Sequence, residues 1–526
     1  MLDSPRLAPI GPAAVRGMLD DGGELALIDV REELIFSRNH LLWARNVPLS
    51  RLELRFARLV PRKTTRIVLC DDNDGLAQRA GHVLARAGYR NFSFLDGGVA
   101  GWEKAGFVTF SGVHVPSKAF GEFVEHDSGT PSISAAELDA MMKSGAKMVV
   151  LDSRPFDEYA RVSIPSGINV PGAELVLRAR DLAPSPDTTI VVNCAGRTRS
   201  IIGAQSLINA GLPNRVVALR NGTMGWHLAG LTCASGQSAR AGEASRGSLI
   251  WAKQAAETVA RKYGVARTDG ATVEAWRKDE QRTTYVFDVR DPTEYKAGHY
   301  PGAISAPGGQ LVQATDIYAG VLGARIVLSD DREVRACMTA SWLKQMGWKE
   351  VYVLAETGGE TAEATAAILG SLPDEAAVAP SKILEIDNVS VVDLSLSADY
   401  RRGHIPGAWF AIRGRLDKAM PKIPPRRAII LTSEDGVLAG LAVEEARALT
   451  DAAPVCWLKG GNAAWVAHGF PLSTAEKWAD EPLDVWLKPY EQTGDTEAAM
   501  NAYLSWEIDL LERIKRDGTA HFLSAR

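Results

Sequence analysis

An α/β fold in four tandem copies, each with a central parallel sheet flanked by helices, is what this sequence predicts, and three recurring features predict it. A short β-branched strand ending near an aspartate appears as Leu27-Ile-Asp29-Val-Arg31, Leu151-Asp152-Ser-Arg154, Val286-Phe-Asp288-Val-Arg290 and Val391-Val-Asp393-Leu-Ser395. A second strand follows each at a regular distance, so that Asp71, Cys194, Asp330 and Ser433 stand 42, 42, 42 and 40 residues past the aspartate of their own copy. A helical run comes next, and in three copies a further strand ends in a glycine-rich turn before Trp102, Trp226 or Trp465.

Each element has a local reason. The second strands, 67–70, 190–193, 326–329 and 429–432, are short and almost wholly apolar, as expected of strands covered on both faces. The run after Cys194 places Ile201, Ile202, Ala204, Leu207 and Ile208 on one helical face. These repeats give domains at 1–110, 130–232, 248–370 and 380–475, followed by a helical extension at 476–526. Between them, 108–133 reads as a linker that packs in its first half, 232–247 as the most flexible stretch, and 371–380 as a short Pro/Ala-rich join. Residues 495–516 read as an amphipathic helix with Met500, Tyr503, Leu504, Leu511 and Ile514 on one face and Glu512 four residues before Arg516. That helix either packs on a domain of this chain or makes a subunit contact, so monomer and homodimer both stay open.

The chemistry-bearing stretch is Thr189-Ile-Val-Val-Asn-Cys194-Ala-Gly-Arg-Thr-Arg-Ser200, a buried strand, a cysteine and a short loop entering a helix. A loop at a helix start presents unpaired N–H groups, and with Arg197 and Arg199 these favour a thiolate and an anionic substrate. Cys194 is therefore the expected nucleophile, Arg199 the group that stabilises charge and orients the donor, and Arg197 a rim cation that attracts it. The backbone of Ala195, Gly196, Arg197, Thr198 and Ser200 is expected to cradle the anion. Asp152 and Arg154 recur as Asp29/Arg31 and Asp288/Arg290 in copies without the cysteine, which suits an internal ion pair supporting the loop. Glu174 and Arg178 either line the pocket or lie on the surface; Asn221 and Thr223 approach the loop from the side, and Trp226 packs.

Composition bounds the rest. With 46% apolar and 23% charged residues the chain is globular, and a net charge of −5 argues against a nucleic-acid or anionic-membrane partner. The five cysteines, at 70, 194, 233, 337 and 456, form no metal-ligand spacing. Cys70 and Cys456 read as core, Cys233 as linker and Cys337 as helical. No window approaches the roughly 18 apolar residues of a membrane span, and no basic leader opens the chain; the expected location is the cytoplasm.

These motifs resemble the rhodanese (thiosulfate sulfurtransferase) superfamily. The third copy carries its first motif as Asp288-Val-Arg-Asp-Pro-Thr-Glu-Tyr-Lys-Ala-Gly-His-Tyr-Pro-Gly-Ala303, the fourth repeats it at 399–408, and the second supplies the active-site motif Cys194-Ala-Gly-Arg-Thr-Arg199. The resemblance implies four tandem rhodanese-like domains with five-stranded parallel sheets. It also implies a sulfurtransferase that needs no cofactor and carries sulfane sulfur from thiosulfate as a Cys194 persulfide to a small thiol, cyanide or a sulfur-acceptor protein, releasing sulfite. Related phosphatases of the fold place an arginine six residues after the cysteine, where this chain has Ser200; mercaptopyruvate sulfurtransferases have an uncharged loop. Asp71, Asp330 and Ser433 replace the nucleophile elsewhere, so three domains are expected to be inactive, with acidic loops that repel an anionic donor. In the active copy the usual Gly-His-Ile-Pro-Gly-Ala reads Val162-Ser-Ile-Pro-Ser-Gly167. A persulfide or polysulfide donor, and a reactive-sulfur sensor or binding scaffold, remain the alternative readings.

Overall fold

The structure, a computed structural model, describes residues 7–363, 367–424, 427–450 and 453–524. The start of the expected first domain, the first six residues judged for a leader and the last two of the extension lie outside the described residues. Four five-stranded sheets form, all parallel and all with the same strand order. In the second domain the strands are β1 (Ser132–Ile133), β2 (Met148–Asp152), β3 (Ile168–Asn169), β4 (Thr189–Asn193) and β5 (Val216–Leu219), arranged β1-β5-β4-β2-β3. All five residues of β4 are buried, and its β-branched side chains suit a strand covered on both faces. Its core neighbours include Ile133, Leu138, Val150, Ile164, Val217 and Trp226.

This order positions the site. Asp152 pairs with Asn193 at the carboxyl ends of β2 and β4, and Val217 with Val191 sets β5 on the other side. The loop after β4 thus leaves the sheet between the loops after β2 and β5, at the edge where parallel sheets gather ligands.

The chain divides into two compact bodies. One comprises 1–15, 26–112 and 366–486, and so holds the first and fourth sheets; the other comprises 16–25, 113–365 and 487–526, and holds the second and third. Three segments between domains are more ordered than expected. Helix α1 (Val115–Ser128) runs through what reads as a half-packed linker and crosses the helix after Cys194, α2 (Thr198–Asn209), so closely that a Cβ on Gly121 would stand 2.9 Å from Thr198 Cγ2. Residues 232–247 are not free: Ser163 N–H donates to Ala234 O at 2.8 Å, Asn169 N–H to Ala239 O at 2.9 Å, and Arg240 covers the Phe156 ring at 3.3 Å. The join at 371–380 supplies the edge strand Ala377–Val378 of the fourth sheet.

The C-terminal helix α3 (Thr496–Asp517) begins at an Asp495 cap accepting from Ala498 N–H. It packs inside the second body, against α1. Its buried stripe is Met500, Leu504, Glu507, Leu510 and Ile514, so Leu510 takes the place expected for Leu511, and Glu512 pairs with Lys515 at 2.6 Å instead of Arg516. Glu507 joins that stripe, and the apolar pattern did not reveal its burial.

Candidate active site

Cys194 closes β4 and is 2% exposed; α2 starts four residues later, with Arg197 at its cap. Below the loop, Asn193 Nδ2 donates to Asp152 Oδ2 at 2.9 Å, Arg154 pairs with Asp152 at 2.7 Å, and Ser153 Oγ donates to Asn193 O at 2.8 Å. From the side, Thr223 N–H donates to Cys194 O at 2.9 Å and Met224 N–H to Ala195 O at 3.0 Å. That clamp requires a residue without a side chain at Gly222, which has φ +55 and where a Cβ would fall 2.2 Å from Cys194 O. Cys194 Sγ lies 3.5 Å from Ser200 Oγ, which in turn donates to Arg197 O at 2.7 Å. Thr198 Oγ1 is buried without a partner, and Ala195 and Gly196 are buried.

The other domains display what this loop binds. In the first, the Asp71 carboxylate accepts from Asn73 N–H at 2.9 Å and Ala77 N–H at 3.0 Å, two and six residues on. In the third, Asp330 accepts from Arg332, Arg335 and Ala336 N–H at 3.2, 2.8 and 3.2 Å, two, five and six residues on. Ser433 Oγ accepts from Ala439 N–H at 3.3 Å, six residues on. Loops of this shape therefore hold an oxygen at the nucleophile's side chain, a negative one in the first and third domains. The corresponding donors in the second domain are the N–H groups of Gly196, Arg199 and Ser200, which the same geometry would turn on a thiolate or a persulfide.

The family comparison agrees with the fourfold repeat of the sheets. The Rhodanese-like domain model matches residues 11–105, 134–229, 271–357 and 379–468. The chain belongs to the rhodanese family. A solved structure of thiosulfate sulfurtransferase from Pseudomonas aeruginosa is similar over 99% of this chain and 100% of its own, with 47% identity and a TM-score of 0.95. The HTH-type transcriptional regulator Rv0324 of Mycobacterium tuberculosis is 34% identical over 105 residues, which are 20% of this chain and 45% of the regulator; the chain thus spans less than half the length of that relative.

Within this rhodanese, both loop arginines are already engaged. Arg199 pairs with Glu158 at 2.8 Å and donates to Gln310 Oε1 of the third domain at 3.2 Å. Burial works against its charge, but Glu158 more than offsets this and raises its pKa. Burial likewise opposes ionisation of Glu158, yet Arg199 and, further off, Lys488 hold its pKa at about 2. Arg197 is not at a rim. It is 8% exposed, paired with Glu122 of α1 at 2.7 Å, bonded to Glu125, and within 3.3 Å of Asn221 Oδ1. The linker that became α1 brings these carboxylates in, so its guanidinium anchors the loop to α1 and only its backbone faces the cradle.

Arg335, five residues after Asp330, is the counterpart of Arg199 and pairs with Glu294 and with Glu174 of the second domain, at 3.0 Å for Glu174. Glu174 stands 22 residues after Asp152, as Gln310 stands 22 after Asp288. The second and third domains thus exchange equivalent contacts, and Glu174 and Arg178 line a cleft of about 510 Å³ between them. Glu158 and Glu294 both follow their aspartate by six residues, whereas the first and fourth domains have Leu76 and Leu438 in place of the arginine. That co-occurrence was the available signal for Glu158; Gln310, Glu122, Glu125 and Glu507 had none, because they come from other segments.

Trp226 packs in the core and donates from Nε1 to Thr232 O at 3.0 Å. The missing histidine leaves the edge pairing unchanged: Ser163 makes the same backbone bridge that His299 makes to Glu360, but has no ring to stack as His299 does on Tyr295. Burial raises the thiols of Cys70, Cys233 and Cys456, and pushes that of Cys337 up to about 12. All five cysteines are free, and among the described residues no group of three or more potential ligands could hold a metal. Among these residues, no helix is long and apolar enough to cross a membrane.

Proposed function

We propose that this rhodanese is a thiosulfate sulfurtransferase whose single nucleophile is Cys194 of the second domain. The chain is a sulfurtransferase working through a cysteine persulfide, a statement that rests on its full-length likeness to the Pseudomonas enzyme. The observation that carries the assignment to Cys194 is the pair of carboxylates, Asp71 and Asp330, held by loop N–H groups where Cys194 would carry its anionic sulfur. Cys194 thiolate attacks the outer sulfur of thiosulfate, the S–S bond of the donor breaks, and sulfite leaves with the bonding pair. The persulfide is then held by the N–H groups of Gly196, Arg199 and Ser200 until a small thiol or cyanide takes the outer sulfur. Arg199, held by Glu158 and Gln310, stabilises the departing sulfite; Asp152, Arg154 and Asn193 brace the loop from below.

On this reading 130–232 is the catalytic domain, 1–110, 248–370 and 380–475 are inactive domains, and the protein works in the cytoplasm, consistent with five unpaired cysteines. A persulfide or polysulfide donor is the second reading, favoured by the carboxylates that already neutralise Arg197 and Arg199. Steady-state assays decide between donors: thiosulfate should give equal amounts of sulfite and thiocyanate with cyanide, and a much higher kcat/KM for polysulfide would reassign the donor. In Cys194→Ser both products should fall to background; turnover remaining in that variant would remove the single-site assignment.

A further inference from the structure

We propose that Glu507, on the C-terminal helix, is the proton acceptor for the incoming thiol in the second half-reaction; this rests on the persulfide reading above. Helix α3 lies over the cysteine loop. A Cβ placed on Gly196 would stand 3.2 Å from Glu507 Oε2, 2.9 Å from Met224 Cε and 3.6 Å from Tyr503 Cε1. Glu507 is 1% exposed, and its two oxygens are treated differently. Oε1 accepts from Tyr503 Oη at 3.0 Å and from Lys118 Nζ at 3.2 Å, and Lys118 also bonds the Tyr503 hydroxyl. Oε2 is buried and accepts nothing. A buried carboxylate oxygen without a donor is costly, and one set against a catalytic loop calls for a role.

The surroundings leave few other places for a proton. The groups facing Glu507 are Tyr503 on its own helix, Lys118 and Glu122 on α1, and Arg197 in the loop. Burial and then Glu507 raise the Tyr503 hydroxyl well above its ordinary value, so it remains a donor to Oε1. Arg197 takes both oxygens of Glu122 and Arg199 both of Glu158, whereas Lys118 pairs with Oε1 of Glu507 and leaves Oε2 open. With Cys194 only 2% exposed, an acceptor reaching the persulfide is small and meets little water. The step balances as R–SH plus Cys194–S–SH giving R–S–SH plus Cys194–SH. Glu507 takes the thiol proton, the thiolate bonds to the outer sulfur, the persulfide S–S bond breaks with its pair on Cys194, and the proton passes from Glu507 to Cys194.

The test separates the half-reactions. The full-length protein is loaded with thiosulfate, released sulfite is counted against persulfide by mass spectrometry, and the persulfide is discharged either to 2-mercaptoethanol or to sulfite at pH 8, which brings no S–H proton. Glu507→Gln should still load, should discharge to the thiol about 100-fold more slowly or worse, and should lose far less with sulfite. The thiol defect should shrink as pH rises and the thiol arrives ionised. Equal slowing with both acceptors, or none with either, overturns the proposal. If Glu507→Gln does not load, Glu507→Asp, with the carboxylate drawn back, must show the same selectivity for the proposal to stand. Failure of the wild-type protein to release sulfite would instead overturn the persulfide reading, and this inference with it.

Discussion

The second and third domains carry the same loop apparatus around different side chains. Each has an arginine five residues past the nucleophile position, a glutamate six past the strand aspartate, and a contact received from residue 22 of the other domain's repeat. In the third domain, Arg335 is completely buried and turned onto Asp330 at 3.0 Å. In the second, Cys194 contributes no carboxylate, and Arg199 is held by Glu158 and Gln310 beside the cradle. The third domain therefore keeps the anion site although Asp330 stands where the second has Cys194. A covalently attached anion occupies it, and the arginine that would serve a substrate is satisfied internally.

Three changes probe this contrast in falling order of effect. Cys194→Ser removes the proposed nucleophile and should abolish thiocyanate formation while leaving the thermal transition unchanged. Arg197→Ala should act on the fold. It strands Glu122, 6% exposed, without its cation, and breaking a buried pair costs about 3–5 kcal/mol. Calorimetry should show a lowered Tm, and a merely raised KM in a fully stable protein would return Arg197 to the rim. Arg199→Ala should lower kcat and kcat/KM together by roughly the 1.5–3 kcal/mol of a charge-assisted hydrogen bond. An unchanged kcat would mean that Arg199 serves only to bind Glu158.

The Arg199–Glu158 pair also sets an acid limit. Because Glu158 is held at about 2, below its ordinary 4.5, its contribution to stability is complete above pH 4.5 and is lost as pH falls from 4.5 toward 2. Acid titration followed by circular dichroism should show wild type losing stability relative to Glu158→Gln across that window. Parallel curves would indicate that the pair is loose in solution.

The repeat made the sheets legible, since a short apolar strand, a loop and a helix at a fixed spacing leave little choice of topology. It made Cys194, the loop and the Asp152–Arg154 pair legible for the same reason: they lie within one unit. What stayed hidden crosses between segments. Glu122 and Glu125 reach Arg197 because 115–128 is helical, whereas the polar run 126–131 makes the segment read as a linker. Gln310 reaches Arg199 only through domain pairing. Glu507 interrupts an apolar stripe, and nothing in helical periodicity separates a buried glutamate from a solvated one.

The smallest effect is also the most discriminating, because it asks whether the cradle alone suffices. In a Cys194→Ser background, Asp330→Cys and Asp71→Cys each place a thiol where loop N–H groups already hold a carboxylate. Asp330→Cys keeps Arg335 and Glu294, the counterparts of Arg199 and Glu158, and frees Arg335 from the aspartate it now binds. Asp71→Cys keeps only the backbone. Leu76 stands at the arginine position, Asp74 is exposed beside the loop, and Asp72 already holds Arg31 at 2.6 Å. Glu174 and Asp331 still crowd Arg335, so neither variant should approach wild type. Asp330→Cys should nevertheless form persulfide from thiosulfate about 10-fold or more faster than Asp71→Cys, the equivalent of one charge-assisted hydrogen bond. Persulfide counted by mass spectrometry at early times reads the difference. Equal rates would mean that the backbone cradle by itself governs sulfur capture and that the arginine–glutamate pair is structural; a faster Asp71→Cys would mean that Arg335 is locked by its remaining carboxylates and unavailable to any donor.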